Sequence, residues 1–256
     1  MENSSKSKAL IAELIGTYAL VLSIIMAVSI YVGVATEAGG QLLPNVVVPF
    51  IAFVHGFVLF VMIQTLGAVS GGHFNPAVTL GLLSIGKIKG ADAAKYVTVQ
   101  VIGGTLAGVT LALVLNDLGT SVKFGSPSID PSISLASGIV LEAIFTFLLV
   151  WTVVATAVNP NGPKEWAPVA IATSLALGVF LIGSLTGASL NPARAFGPDF
   201  TNMLFGDGGF GSVRDFVLAY VVGPIAGGVL AATLYNALYI EKPAPTAPAP
   251  SEASPL

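Results

Sequence analysis

The sequence contains no cysteine, which excludes a disulfide framework, a thiolate metal site and a thiol nucleophile and leaves the redox compartment unreadable. Charge is nearly as scarce. Lys, Arg, Asp and Glu make up only 9% of the 256 residues, against roughly 25% in a soluble domain, whose surface must face water. The net charge of −3 and the lack of a basic run argue against nucleic acid as a partner. The two histidines, His55 and His73, stand in no ligand cluster, so no metal site is expected. No nucleophile–base pair is visible either, which argues against an enzyme.

What the chain has instead is apolar length. Hydrophobic residues make up 54% of it and the mean hydropathy is +0.88, so the solvent of most of its surface is hydrocarbon. Six apolar runs approach the ~20 residues that a helix needs to cross a bilayer: 9–33, 46–69, 96–115, 133–158, 166–185 and 216–240. An isolated span must satisfy its own backbone, so all six are read as helices and the fold class as an all-α, multi-pass integral membrane protein. Residues 1–8, with Lys6 and Lys8, resemble the start of a secretory signal. The run that follows is too long for one and holds Glu13. Residues 241–256 form a Pro/Ala/Ser tract that cannot bury apolar surface and is expected to be a disordered tail.

Basic residues should collect on the cytoplasmic side. With both termini there, Lys6, Lys8, Lys87, Lys89, Lys95, Lys164 and Lys242 are cytoplasmic, while Lys123, Arg194 and Arg214 lie elsewhere, a split of seven to three. The chain also repeats itself. Ala12-Glu13-Leu14-Ile15 is similar to Leu141-Glu142-Ala143-Ile144, and Val101-Ile102-Gly103-Gly104 to Val221-Val222-Gly223-Pro224. Each copy holds one Asn-Pro-Ala: Asn75-Pro76-Ala77 and Asn191-Pro192-Ala193. The division is therefore a first repeat at 9–115, a connecting loop on the outer side at 116–132, and a second repeat at 133–240. A unit of three spans reverses direction when duplicated, giving an inverted repeat whose functional site lies near the midplane.

Asparagine is a favoured N-cap and proline is tolerated at the first helical position, so each Asn-Pro-Ala starts a helix. From Pro76 to about Ile85 that helix is roughly 15 Å long, half the ~30 Å hydrocarbon thickness. It is predicted to be a re-entrant half-helix whose N-terminus lies at mid-membrane, and the second motif predicts its counterpart from the other side. Two positive dipole ends and two asparagine amides then face a central lumen, favouring an acceptor and repelling a cation.

These residues resemble the aquaporin or major intrinsic protein family. The resemblance runs over residues 9–239 and rests on Ala12-Glu13, on Ser70-Gly71-Gly72-His73-Phe74-Asn75-Pro76-Ala77-Val78-Thr79 and on Asn191-Pro192-Ala193-Arg194-Ala195-Phe196-Gly197-Pro198. It implies six transmembrane helices plus two half-helices, a homotetramer with one pore per subunit, no cofactor, and passive conduction of water and small neutral solutes across the bilayer of the cell membrane. It also implies a selectivity constriction at His55, Val179, Ala188 and Arg194. Arg194 is the strongest member on physical grounds. A charge at this depth is costly and faces a wet cavity, and its counterpart in the first repeat is Val78.

Strict water channels of the family carry an aromatic residue at the His55 position and a histidine at that of Val179. The pair here is similar to the plant vacuolar branch and to some microbial members, and predicts a wider constriction. Ala195, where the glycerol-conducting branch has an aspartate, points toward water. Tyr220-Val221, where strict water channels have a tryptophan, points away from strictness. The expected permeants are water and then ammonia, hydrogen peroxide, urea or glycerol.

Glu13 and Glu142 are ionisable groups inside spans, which by default suggests an ion pathway. Their repeat-related positions instead predict carboxylates that brace the non-helical segments before Asn75 and Asn191. His73 is expected to brace its own segment, with a pH sensor as the alternative. Gly103, Gly108, Gly223 and Gly228 are read as close helix packing. A secondary transporter, which also uses inverted repeats and broken helices, and a junctional membrane protein with a vestigial pore are the competing classes.

Overall fold

The structure is a computed structural model, and it describes residues 2–33, 44–206, 208 and 211–240. The tail expected at 241–256 and the cytoplasmic placement of Lys242 lie outside the described residues. Helix α1 spans Glu2–Val28 and continues as a π-turn to Gly33. Then come α2 (Pro44–Ser70), α3 (Pro76–Ser84), α4 (Gly90–Val114), α5 (Asn116–Ser121) and α6 (Leu135–Val153), the last extended by a π-turn to Val158. The chain closes with α7 (Ala167–Thr186), α8 (Pro192–Phe205), α9 (Val213–Phe216), a π-turn and α10 (Gly223–Tyr239).

Among the described residues, six stretches are long and apolar enough to cross a bilayer: Ser5–Gly33, Val47–Ser70, Gly90–Val114, Leu135–Val158, Lys164–Thr186 and Val213–Tyr239. The third begins six residues before the apolar run that predicted it. Its first turns are polar, carrying Asp92 and Lys95, and such a start belongs at the headgroup level, where hydropathy is silent. The segment expected to be a plain connecting loop is partly helical, with α5 followed by a 3₁₀ turn at Lys123–Gly125. It closes over buried Phe124.

Helices α3 and α8 are the half-helices, of 9 and 14 residues. The second is longer because Pro198 sits inside it without ending it. A proline lacks the N–H that would bond the carbonyl four residues back, here that of Arg194. Each half-helix packs on the third span of the other repeat. A methyl group on Gly228 of α10 would lie 2.8 Å from the Ala77 carbonyl of α3, and one on Gly81 of α3 would lie 2.9 Å from the Gly228 carbonyl. Gly103 is held as closely, 2.6 Å from the Leu14 carbonyl of α1. Small residues here let backbones touch. Gly228→Ala is therefore expected to destabilise the protein by about 1–3 kcal/mol through overpacking. Gly90→Ala, where nothing lies within 4 Å, serves as the neutral comparison; thermal unfolding in detergent measures both.

Candidate functional site

The N-termini of the two half-helices meet, and the asparagines that start them hold the junction. Asn75 Oδ1 accepts from the Ala77 N–H (2.8 Å) and Asn191 Oδ1 from those of Ala193 (3.0 Å) and Arg194 (3.3 Å), capping α3 and α8. Their amide nitrogens cross over: Asn75 Nδ2 donates to the Leu190 carbonyl (2.8 Å) and Asn191 Nδ2 to the Phe74 carbonyl (2.9 Å). These cross-ties add a second partner to amides that the sequence places toward the lumen. An amide has two N–H groups, so one ties the opposite repeat and the second remains for the lumen that both asparagines line.

The segments leading into the half-helices are strained in the same way. Phe74 (φ 48°), Ala188 (φ 41°) and Leu190 (φ 51°) adopt left-handed backbone, which costs a residue with a Cβ about 1 kcal/mol or more. Buried carboxylates hold them there. Glu13 Oε1 accepts from Ser70 Oγ (2.7 Å) and the His73 N–H (2.9 Å), and Oε2 from the Phe74 N–H (2.7 Å) and Gln100 Nε2 (2.8 Å). Glu142 Oε1 accepts from Thr186 Oγ1 (2.7 Å) and the Ser189 N–H (2.9 Å), and Oε2 from the Leu190 N–H (2.7 Å). Two tyrosines finish the braces, Tyr96 donating to the Ser70 carbonyl and Tyr220 to that of Thr186, each at 2.8 Å.

The sequence reading missed Ser70, Tyr96, Gln100, Thr186 and the bracing role of Tyr220. The hydroxyls were findable, since Ser70 and Thr186 both stand five residues before an asparagine. The tyrosines were not, because Tyr220 matches Gln100 in the repeat and yet does the work of Tyr96.

Two cavities run through the site. The inner one is narrow and is lined by Gly72, His73, Asn75, Ser189, Asn191 and Arg194. It is also lined by His55 and by apolar side chains, Leu20, Leu59, Leu149 and Leu175 among them. Polar and apolar side chains thus share the wall of this cavity, which lets a small polar molecule pass without being held on all sides. The outer cavity is wider and includes Val179, Gly187 and Gly125. His55 and Arg194 line both cavities and so mark the junction between them.

Of the four residues expected at the constriction, the structure brings three to the outer cavity. Ala188 is fully buried and lines neither cavity, its neighbour Gly187 standing there instead. His55 Nδ1 lies 2.8 Å from the Ile51 carbonyl, one turn back in α2. A carbonyl only accepts, so Nδ1 carries the hydrogen and, in the neutral ring, Nε2 is an acceptor. Arg194 is steadied by Nη1 donating to the Gly125 carbonyl (3.0 Å), which the 3₁₀ turn after α5 delivers. Both residues keep one buried nitrogen without a protein partner, His55 Nε2 and Arg194 Nε. His73 Nδ1 lies 3.0 Å from Thr79 Oγ1 in α3, and the ring packs edge-on against Tyr96. It is bonded to the half-helix rather than within its own segment. Among the described residues no group of acidic or histidine side chains could hold a metal ion.

Comparison with known proteins agrees with this architecture. The family profile described as Major intrinsic protein matches residues 1–235. The chain is 35% identical to Aquaporin AqpM of Methanothermobacter thermautotrophicus over 260 residues, covering 93% of this chain and 99% of that one. It is 36% identical to Nodulin-26 of Glycine max over 236 residues, 91% of this chain and 79% of that one. In fold it is similar to the X-ray structure of the aquaglyceroporin from Plasmodium falciparum, with a TM-score of 0.76, 23% identity, and coverage of 91% and 96% of the two chains. Six apolar spans, two opposed half-helices capped by Asn-Pro-Ala and a match over nearly the whole sequence place this chain in the major intrinsic protein family, the aquaporins, whose members form membrane channels for water or small solutes.

Proposed function

We propose that this chain conducts water passively, admits small neutral solutes such as ammonia, hydrogen peroxide, urea or glycerol at its wider constriction, and rejects ions and protons. The observation that carries the reading is the pair of buried nitrogens at the junction of the cavities: an acceptor at His55 Nε2 and a donor at Arg194 Nε. A molecule that both accepts and donates, as water and ammonia do, is matched there. The Arg194 charge and the two half-helix dipoles disfavour a cation. Val179, an aliphatic side chain on the outer cavity, leaves the gap wider than an imidazole would and adds no donor.

The family resemblance supports a homotetramer with one pore per subunit, in which each chain conducts by itself. The gathering of lysines on the side that carries residue 6 supports a cytoplasmic placement of both termini, in the cell membrane. Purified protein in liposomes is expected to accelerate osmotic shrinkage, with glycerol and ammonia flux measured in parallel. His55→Phe combined with Val179→His is expected to keep water flux within a few fold and to cut glycerol flux at least about tenfold. That factor corresponds to roughly 1.4 kcal/mol of added barrier. No acceleration of shrinkage would sink the water reading, and unchanged selectivity in the double variant would remove the constriction assignment.

A further inference from the structure

Four of the chain's eight lysines converge on a single hollow that shares no lining residue with either pore cavity. Lys6 comes from the start of α1, Lys87 and Lys89 from the turn after α3, and Lys95 from the first turns of α4; together they line one open hollow. One carboxylate, Asp92, faces the same hollow, and Leu10 and Tyr96 contribute apolar surface. Among the described residues, Lys87, Lys89 and Lys95 have no carboxylate within ion-pair distance. A charge bias that merely sets topology asks for basic residues somewhere on one side. It does not ask that segments distant in sequence bring them to one place.

We propose that this hollow is a binding site for the headgroup of an anionic phospholipid. Its level in the membrane favours a lipid over a free anion, since it opens where the spans Ser5–Gly33 and Gly90–Val114 begin, at the boundary of polar and apolar surface. Further along the same two helices, Ile11 and Ile15 of α1 and Ile102 and Leu106 of α4 are exposed, offering apolar surface to acyl chains. Basic pockets between transmembrane helices hold anionic headgroups in this way, each lysine contributing a few-fold in affinity.

The test is a titration of the purified full chain in neutral phosphatidylcholine bilayers with phosphatidylglycerol, counting bound anionic lipid by native mass spectrometry. The combined variant Lys87→Gln, Lys89→Gln, Lys95→Gln is expected to weaken binding about a hundredfold, while its Lys→Arg counterpart binds as the parent does. Lys8→Gln with Lys164→Gln, which removes two charges outside the hollow, is expected to change binding less than threefold. Equal losses in the two glutamine variants would overturn the site in favour of diffuse attraction. Displacement by millimolar inorganic phosphate would overturn the lipid in favour of a free anion. Water flux in all variants reports that the fold is intact.

Discussion

Replacing Arg194 by valine is expected to raise the permeability of the channel to small cations and protons about a hundredfold while leaving water flux within a few fold. A unit charge acting on a passing cation at about 6 Å, in surroundings of effective dielectric constant about 20, opposes it by roughly 3 kcal/mol, two powers of ten in rate. Valine is the natural replacement because Val78 holds the same register in the first half-helix and is buried there. The capping of α8 by Asn191 uses backbone N–H groups and survives the change. The contact that disappears is the bond from Arg194 Nη1 to the Gly125 carbonyl, which faces a cavity that water can enter. Reconstituted vesicles carrying an internal pH dye, with a potassium gradient and valinomycin to set the potential, measure the leak. An unaltered cation and proton leak would assign exclusion to the half-helix termini alone.

The second large effect is expected at Glu13 and Glu142, where glutamine should fail although it has the same shape. Glu13 accepts four hydrogen bonds and Glu142 three, from backbone N–H groups, hydroxyls and, for Glu13, the amide of Gln100. Glutamine keeps one acceptor oxygen and turns an NH₂ group toward donors. At about 1–3 kcal/mol for each buried donor left unpaired, Glu13→Gln is expected to cost at least about 3 kcal/mol. The loss would appear as a lowered unfolding midpoint in detergent and as reduced water flux from loosened lead-in segments. The experiment also separates two classes of protein. A transporter that used these carboxylates to carry a coupling ion would keep its fold in the glutamine variant and lose gradient-driven uptake instead. A variant as stable as the parent would discard the bracing role.

Much of this architecture was legible from local signals. Apolar runs of membrane length placed the six spans, and Asn-Pro at the head of a short apolar stretch placed the starts of α3 and α8, because capping and proline's fixed φ act within a few residues. The end of α8 was not legible, since Gly197-Pro198 reads locally as a break and only packing keeps the helix going past it. Nor were the cross-ties at Asn75 and Asn191. A bond to a carbonyl more than a hundred residues away leaves no periodicity to find. The connecting segment at 116–132 read as mere linkage, because the value of the Gly125 carbonyl depends on where Arg194 ends up. His55 was placed at the constriction by its resemblance to the family, whereas its bond to the Ile51 carbonyl, one turn back, left no mark in the sequence. The geometry gives Nδ1 to that carbonyl and puts the residue on the wall of both cavities.

The cross-ties between the halves also bear on biosynthesis. Asn75 donates to a carbonyl 115 residues later in the chain, and the Phe74 carbonyl waits for an asparagine 117 residues later. At about 5–20 residues per second, the first half-helix exists for some six to twenty seconds before the group that completes its junction has been made. During that interval neither repeat can close its centre alone. The ribosome thus delivers two halves that function as an isologous dimer joined by a tether, and the pore is finished only when the second partner has been threaded in the opposite sense.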